Sequence, residues 1–212
     1  NRDFLSQTEA NTGVPAALIV AIIGIETIYG RQLGSFRVKD VLSTLAFEYP
    51  PTPNQTARAA LFREQIKDLI LLCWAENKNS ANVNQGQFNQ CLNQNSSYAG
   101  AIGMPQFMPS SIRSYAKDGD GDNLIDLKVS AKDSIASVAN FLQQQGWQVG
   151  MPIYFTILTN PLAFNAASQL ADGEPTPKHT IQELIELGIL APERGDLLTG
   201  GVSPTSKALI VD

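Results

Sequence analysis

Over the first 150 residues the apolar positions recur mostly at helical spacing. "GVPAALIVAIIGIETIYG" has Pro15 near its start and Gly30 at its end and is apolar on most faces, which predicts a buried, central helix. "FRVKDVLSTLAFEYP" predicts a second helix that stops before Pro50 and Pro51, and "PNQTARAALFREQIKDLILLCWAENK" a third, longer and amphipathic. "NSANVNQGQFNQCLNQNSS" has too few apolar residues for a core element and reads as a surface connection. A turn of small residues, a helix beginning at Pro109 with Ser110 or Ser111 as cap, an acidic loop and another helix then follow, up to Trp147. After Gly150 the pattern changes: "MPIYFTILTN" is strand-like, "TIQELIELGIL" is a short helix, and "LTGGVSPTSKALIVD" ends in a strand-like run. The expected organisation is mainly α, with a helical core over 1–150 and a small mixed α/β region over 151–212.

With 212 residues, 43% of them apolar, the chain can bury a sizeable core. Its net charge of -5 leaves no basic stripe, which argues against nucleic acid or anionic lipid as partner. No apolar run approaches the ~20 residues that span a bilayer. "NRDFLSQTEA" lacks the order of a signal peptide. Cys73 and Cys91 have no metal-ligand spacing; they form either one disulfide, worth roughly 3 kcal/mol, or two buried thiols. The sole histidine, His179, sits in "EPTPKHT" with no nucleophile motif beside it, which argues against triad hydrolases and His-built zinc sites.

Glu26 is the one acid in the apolar run. On a continuous helix its neighbours are Ile22, Ile23, Tyr29 and Gly30, so its side chain is expected to emerge from an apolar surface beside an aromatic ring. Such surroundings favour the neutral acid, which can protonate a leaving oxygen as glycosidic cleavage requires. The simpler alternative is a Glu that reaches solvent or pairs with Arg31. No convincing second carboxylate accompanies it, since Asp40 reads as a helix-start acid.

Four stretches in order, "GVPAALIVAIIGIETIYGRQLG", "DVLSTLAFEYP", "SSYAGAIGMPQFMPSSIRSYAKD" and "SVANF", resemble the membrane-bound lytic murein transglycosylase B family between Gly13 and Trp147. The resemblance implies a lysozyme-like helical core and a cleft for peptidoglycan glycan strands. It also implies cleavage of the bond between N-acetylmuramic acid and N-acetylglucosamine to leave a 1,6-anhydro sugar. Glu26 would be the single acid and base, and Ser97, Gln106, Phe107, Asn140, Phe141 and Tyr29 would face the sugars. Without the resemblance Phe107 and Met108 read as core, and Phe141 stands where relatives carry Tyr. The implied setting is the bacterial periplasm, with an outer-membrane tether through a lipidated N-terminus outside this chain and cell-wall synthesis or division machinery as partners. Nothing demands more than a monomer.

In "DGDGDNLIDLKVSAKD", Asp118, Asp120 and Asp122 alternate like the first ligands of an EF-hand-type calcium loop, with the Leu124 carbonyl at the seventh place. Asn123 replaces the turn glycine, a substitution that the left-handed tolerance of Asn allows. Val129 stands where a closing Glu belongs. The resemblance assigns that closing role to Asp133, with Asp126 as competitor, and implies a structural Ca2+ that braces the cleft's rim; a solvated acidic turn is the alternative.

Overall fold

The computed structural model describes residues 1–78, 85–174, 176–191 and 202–211. It divides into two compact units, Asn1–Trp147 and Gln148–Asp212. The first is mainly helical, as the periodicity predicts. In order it contains α1 (Arg2–Thr12), α2 (Ala16–Thr27), β1 (Phe36–Arg37), α3 (Val38–Phe47), α4 (Gln55–Lys78), α5 (Gln85–Leu92), β2 (Asn95–Ser96), α6 (Pro109–Tyr115) and α7 (Ala131–Gln144).

Two apolar clusters hold this unit together. One joins Val38 and Leu42 of α3 and Phe62 and Leu69 of α4 to Ile102, Phe107 and Leu127; the other joins Val14, Ile19 and Ile23 to Ile135 and Val138 of α7. Helix α2 is less enclosed than its composition predicts. It buries the stripe Ile19, Ile23 and Thr27, spaced four residues apart, while Ile25 is 84% exposed.

Helix α1 has no counterpart in the sequence reading. Phe4 and Leu5 supply its apolar contacts, and α7 and the residues just after it supply the rest: the Trp147 indole donates to the Gly13 carbonyl at 2.8 Å and the Gln143 amide to that of Thr12 at 3.2 Å. Helix α5 corrects the reading of its stretch as a surface connection. Cys91 is buried, Phe88 packs on the first cluster, and a disulfide fastens Cys91 to Cys73 on α4 with Cα atoms 5.6 Å apart. The rest of that stretch, 79–84, lies outside the described residues. Helix α6 is also capped differently from the expectation. Met108 is its N-cap, and Gln65 of α4 accepts the Ser110 N–H at 3.1 Å while donating to the Ser110 hydroxyl at 3.0 Å.

The second unit contains α8 (Pro161–Leu170), β3 (His179–Thr180), α9 (Ile181–Glu186) and β4 (Lys207–Ala208), around Ala167, Ile181, Leu184, Ile189 and Leu190. A Thr180–Glu183 capping box starts α9, and β3 pairs antiparallel with β4. "MPIYFTILTN" is not a strand: Phe155 and Ile157 pack on this core, and the Leu158 N–H meets the Ile189 carbonyl without a ladder continuing from it. The first residues of "LTGGVSPTSKALIVD" lie outside the described residues. Among the described residues no single helix is long and apolar enough to cross a membrane.

Candidate active site

Helix α2 stops at Thr27 because the next three residues take positive φ: 50° at Ile28, 57° at Tyr29 and 83° at Gly30. For a β-branched residue this is costly, about 1–2 kcal/mol, and such strain persists only where the surroundings fix it. The reversal changes what surrounds Glu26. Tyr29 does not continue the helix above it; its ring folds back over Gly24, where a Cβ would stand 2.9 Å from the Tyr29 ring carbon. Glu26 is exposed, as are Ile25 before it and Ile28 two residues after it, while Thr27 between them is buried. The apolar enclosure expected from the sequence is therefore not formed by the helix itself. Asp40 lies in the first turn of α3 and pairs with Lys39 at 2.5 Å.

The chain after α2 packs against the stretch 96–107. Gly34, with φ 86°, lies so close to Ser96 that a Cβ would stand 2.1 Å from its carbonyl oxygen, and Gly30 abuts Met104. Antiparallel pairing of Phe36 with Ser96 and Arg37 with Asn95 extends the contact. Ser97 shapes its own loop: its hydroxyl accepts the Ala101 N–H at 3.1 Å and the Ala99 N–H at 3.3 Å. Ile102 and Phe107 exchange backbone bonds, closing a tight turn in which Gln106 has φ 50° and donates from Nε2 to the Gly103 carbonyl at 3.0 Å.

Ser97, Gln106 and Tyr29 are thus brought to the segments that adjoin the end of α2. Phe107, Phe141 and Asn140 have other surroundings. Phe107 is 8% exposed, with its ring centroid 5.6 Å from that of Phe141, which in turn meets Tyr115 edge-on at 5.2 Å. These rings are core, so they offer little face to a sugar. Asn140 donates to the Tyr115 carbonyl at 2.8 Å and lines a pocket of about 470 Å³ with Phe4, Thr8 and Lys117, whose walls do not include Glu26.

In the acidic loop, ligand oxygens of Asp118, Asp120 and Asp122 lie within 4.8 Å of one another. Asn123 has φ 69°, the left-handed turn that its position requires. Asp118 accepts the Gly121 N–H at 2.7 Å and the Asn123 N–H at 2.8 Å; chiefly the Gly121 bond holds its carboxyl below the usual aspartate range. Asp133 stands outside this trio. It is buried, and its two oxygens accept the Gly119 N–H at 2.8 Å and the Asp126 N–H at 2.7 Å, clasping the loop at both ends. Asp126 instead accepts the Lys128 and Val129 N–H groups. The hard oxygen donors of the trio fit a calcium ion.

Residues 1–206 match the family model described as "Transglycosylase SLT domain". The chain belongs to this family. The SLT domain is 35% identical over 187 residues to membrane-bound lytic murein transglycosylase B of Escherichia coli (strain K12), covering 88% of this chain and 45% of that protein. Among solved structures it is similar to the soluble lytic transglycosylase SltB1 from Pseudomonas aeruginosa, with TM-score 0.71, 39% identity, and 88% and 56% of the two chains covered. It is also similar to the E. coli lytic transglycosylase Slt35 in complex with calcium, with TM-score 0.68, 32% identity, and 91% and 54% covered. The chain spans about half the length of these relatives. In this SLT domain the sequence reading missed Thr27, Phe36 and Tyr98. The two aromatics are exposed on or beside the β1–β2 pair, which joins stretches about 60 residues apart, so their proximity became visible only once that pairing was known. Thr27 had a local signal, a hydroxyl three residues before the Gly30 N–H it accepts.

Proposed function

We propose that the chain is the catalytic core of a lytic transglycosylase acting on peptidoglycan in the periplasm, with Glu26 as its only acid and base. The observation that carries this reading is the placement of a single carboxylate on a strained helix end beside the Ser96–Phe107 stretch, in a chain of the SLT family. The glycan would lie over exposed Ile25, Ile28 and Tyr29, with Ser97 and Gln106 presenting polar groups to its acetamido sugars. The Glu26 carboxylic acid donates its proton to the glycosidic oxygen as the bond to the muramyl anomeric carbon breaks. The resulting carboxylate takes the proton of the C6 hydroxyl, whose oxygen bonds to that carbon. The products are a free GlcNAc hydroxyl and a 1,6-anhydromuramyl end; no water is consumed and Glu26 ends protonated.

Asp118, Asp120 and Asp122, with the Leu124 carbonyl, would hold calcium. The ion would neutralise three neighbouring carboxylates and stiffen the loop. Asp133 already clasps that loop, and no proton moves there. Incubation with purified sacculi and mass spectrometry of the digest test the reading. Wild-type protein should release 1,6-anhydromuropeptides, and Glu26→Gln should lose at least about a hundredfold of that release. Reducing-end products, or full activity in Glu26→Gln, would refute it. The exposure of Glu26 favours one second reading, a glycan-binding relative without turnover, for which sacculi would co-sediment the protein and release nothing.

A further inference from the structure

We infer that Thr27 is the positioning residue for Glu26, an assignment that rests on the proposed role of Glu26. Thr27 is 1% exposed, and its single hydroxyl serves three backbone segments at once. It donates to the Met104 carbonyl at 2.9 Å, with a longer 3.3 Å approach to Ile23 in the preceding turn, and it accepts the Gly30 N–H at 3.0 Å. Its own carbonyl accepts the Gln32 N–H at 2.9 Å. These bonds bracket Ile28 and Tyr29, whose positive φ values would not hold without partners on both sides.

The consequence for Glu26 is geometric. Consecutive helical residues point about 100° apart, so fixing the inward direction of Thr27 fixes the outward direction of Glu26. Helix α2 ends one residue later, and its last turn is closed by the Ile28 N–H on the Gly24 carbonyl at 2.9 Å and the Tyr29 N–H on that of Ile23 at 3.3 Å, both from residues whose own positive φ needs holding. The far anchor is itself held: the Met104 N–H donates to the Leu127 carbonyl at 2.7 Å. Thr27 therefore ties the helix end to a braced backbone rather than to a mobile side chain. It touches no substrate in this assignment and acts only through Glu26.

The test uses Thr27→Val, which keeps the shape and removes the hydroxyl, and Thr27→Ser, which keeps the hydroxyl. With sacculi or soluble glycan strands, Thr27→Val should lower kcat about tenfold to a hundredfold with KM within about twofold, since displaced catalytic groups cost rate more than binding. Thr27→Ser should restore at least half of the wild-type kcat. Amide exchange at Gly30 should accelerate in Thr27→Val and not in Thr27→Ser. Wild-type kcat in a folded Thr27→Val would overturn the inference, as would a loss of rate in Thr27→Val no larger than its unfolded fraction, which would assign the residue to stability alone. Failure of the underlying reading is separate: there the wild type itself releases no anhydro product, or Glu26→Gln matches it.

Discussion

Gly34→Ala tests how tightly the chain after α2 is seated on Ser96 and Ser97. Gly34 has φ 86°, and an added Cβ would stand 2.1 Å from the Ser96 carbonyl oxygen, 2.4 Å from its carbon and 2.7 Å from the Ser97 nitrogen. The positive φ alone costs about 1–2 kcal/mol in a residue with a Cβ. The obstructing atoms are backbone and cannot rotate away, so relief requires separating the two segments, an overpacking cost of about 1–3 kcal/mol more. Gly146→Ala supplies the control, because Gly146 has φ 91° and nothing within 4 Å of the new Cβ. It isolates the conformational cost. Gly34→Ala should then destabilise by about 2–5 kcal/mol and Gly146→Ala by about 1–2 kcal/mol. At about 2–4 °C per kcal/mol for a chain of this size, thermal unfolding followed by far-UV circular dichroism separates the two. Equal melting temperatures, within about a degree, would refute the claim that Gly34 is seated by direct backbone contact.

Two further predictions concern the edges of the first unit. Replacing Cys73 and Cys91 together by Ala should lower stability by about 3 kcal/mol in urea unfolding, because the bond closes a loop of 18 residues' separation; an unchanged midpoint would mean that α5 docks without it. The Asp118 carboxyl is held low mainly by the Gly121 N–H, so its stabilisation of the loop is complete above the usual aspartate range and is lost as pH falls through its lower folded-state value. NMR titration of its side-chain carbons should place that midpoint below that of a free aspartate, and a midpoint above it would contradict the Asp118–Gly121 hydrogen bond.

What was legible in the sequence was what local chemistry dictates. The stripe of apolar residues in α2, α3, α4 and α7 gave the helical class, Asn123 announced a left-handed turn, and the spacing of Asp118, Asp120 and Asp122 announced their convergence. What was not legible depends on distant partners. Helix α1 is polar, and its last carbonyls are satisfied by side chains more than 130 residues away, Gln143 and Trp147. Helix α5 has little apolar surface of its own and is held through Cys91. The cap of α6 comes from Gln65, which no local pattern of serines reveals. The expected enclosure of Glu26 failed for a related reason: it assumed that the helix runs through Tyr29, whereas Ile28 reverses the chain.

That reversal also explains how a loop with no part in the proposed chemistry bears on the proposed acid, Glu26. Asp133 clasps the acidic loop at Gly119 and Asp126, and Leu127 follows at once, buried, with its carbonyl on the Met104 N–H. The Met104 carbonyl then receives the Thr27 hydroxyl, one residue from Glu26. Every joint in this series but two is a main-chain group, and the two side chains, Asp133 and Thr27, are both about 1% exposed. Groups of that kind have few alternative rotamers, so displacement at one end is passed on rather than absorbed. Under the proposed function, the loop therefore need not approach the sugar to matter to cleavage. It fixes the backbone on which the end of α2 rests, and through it the direction in which Glu26 points.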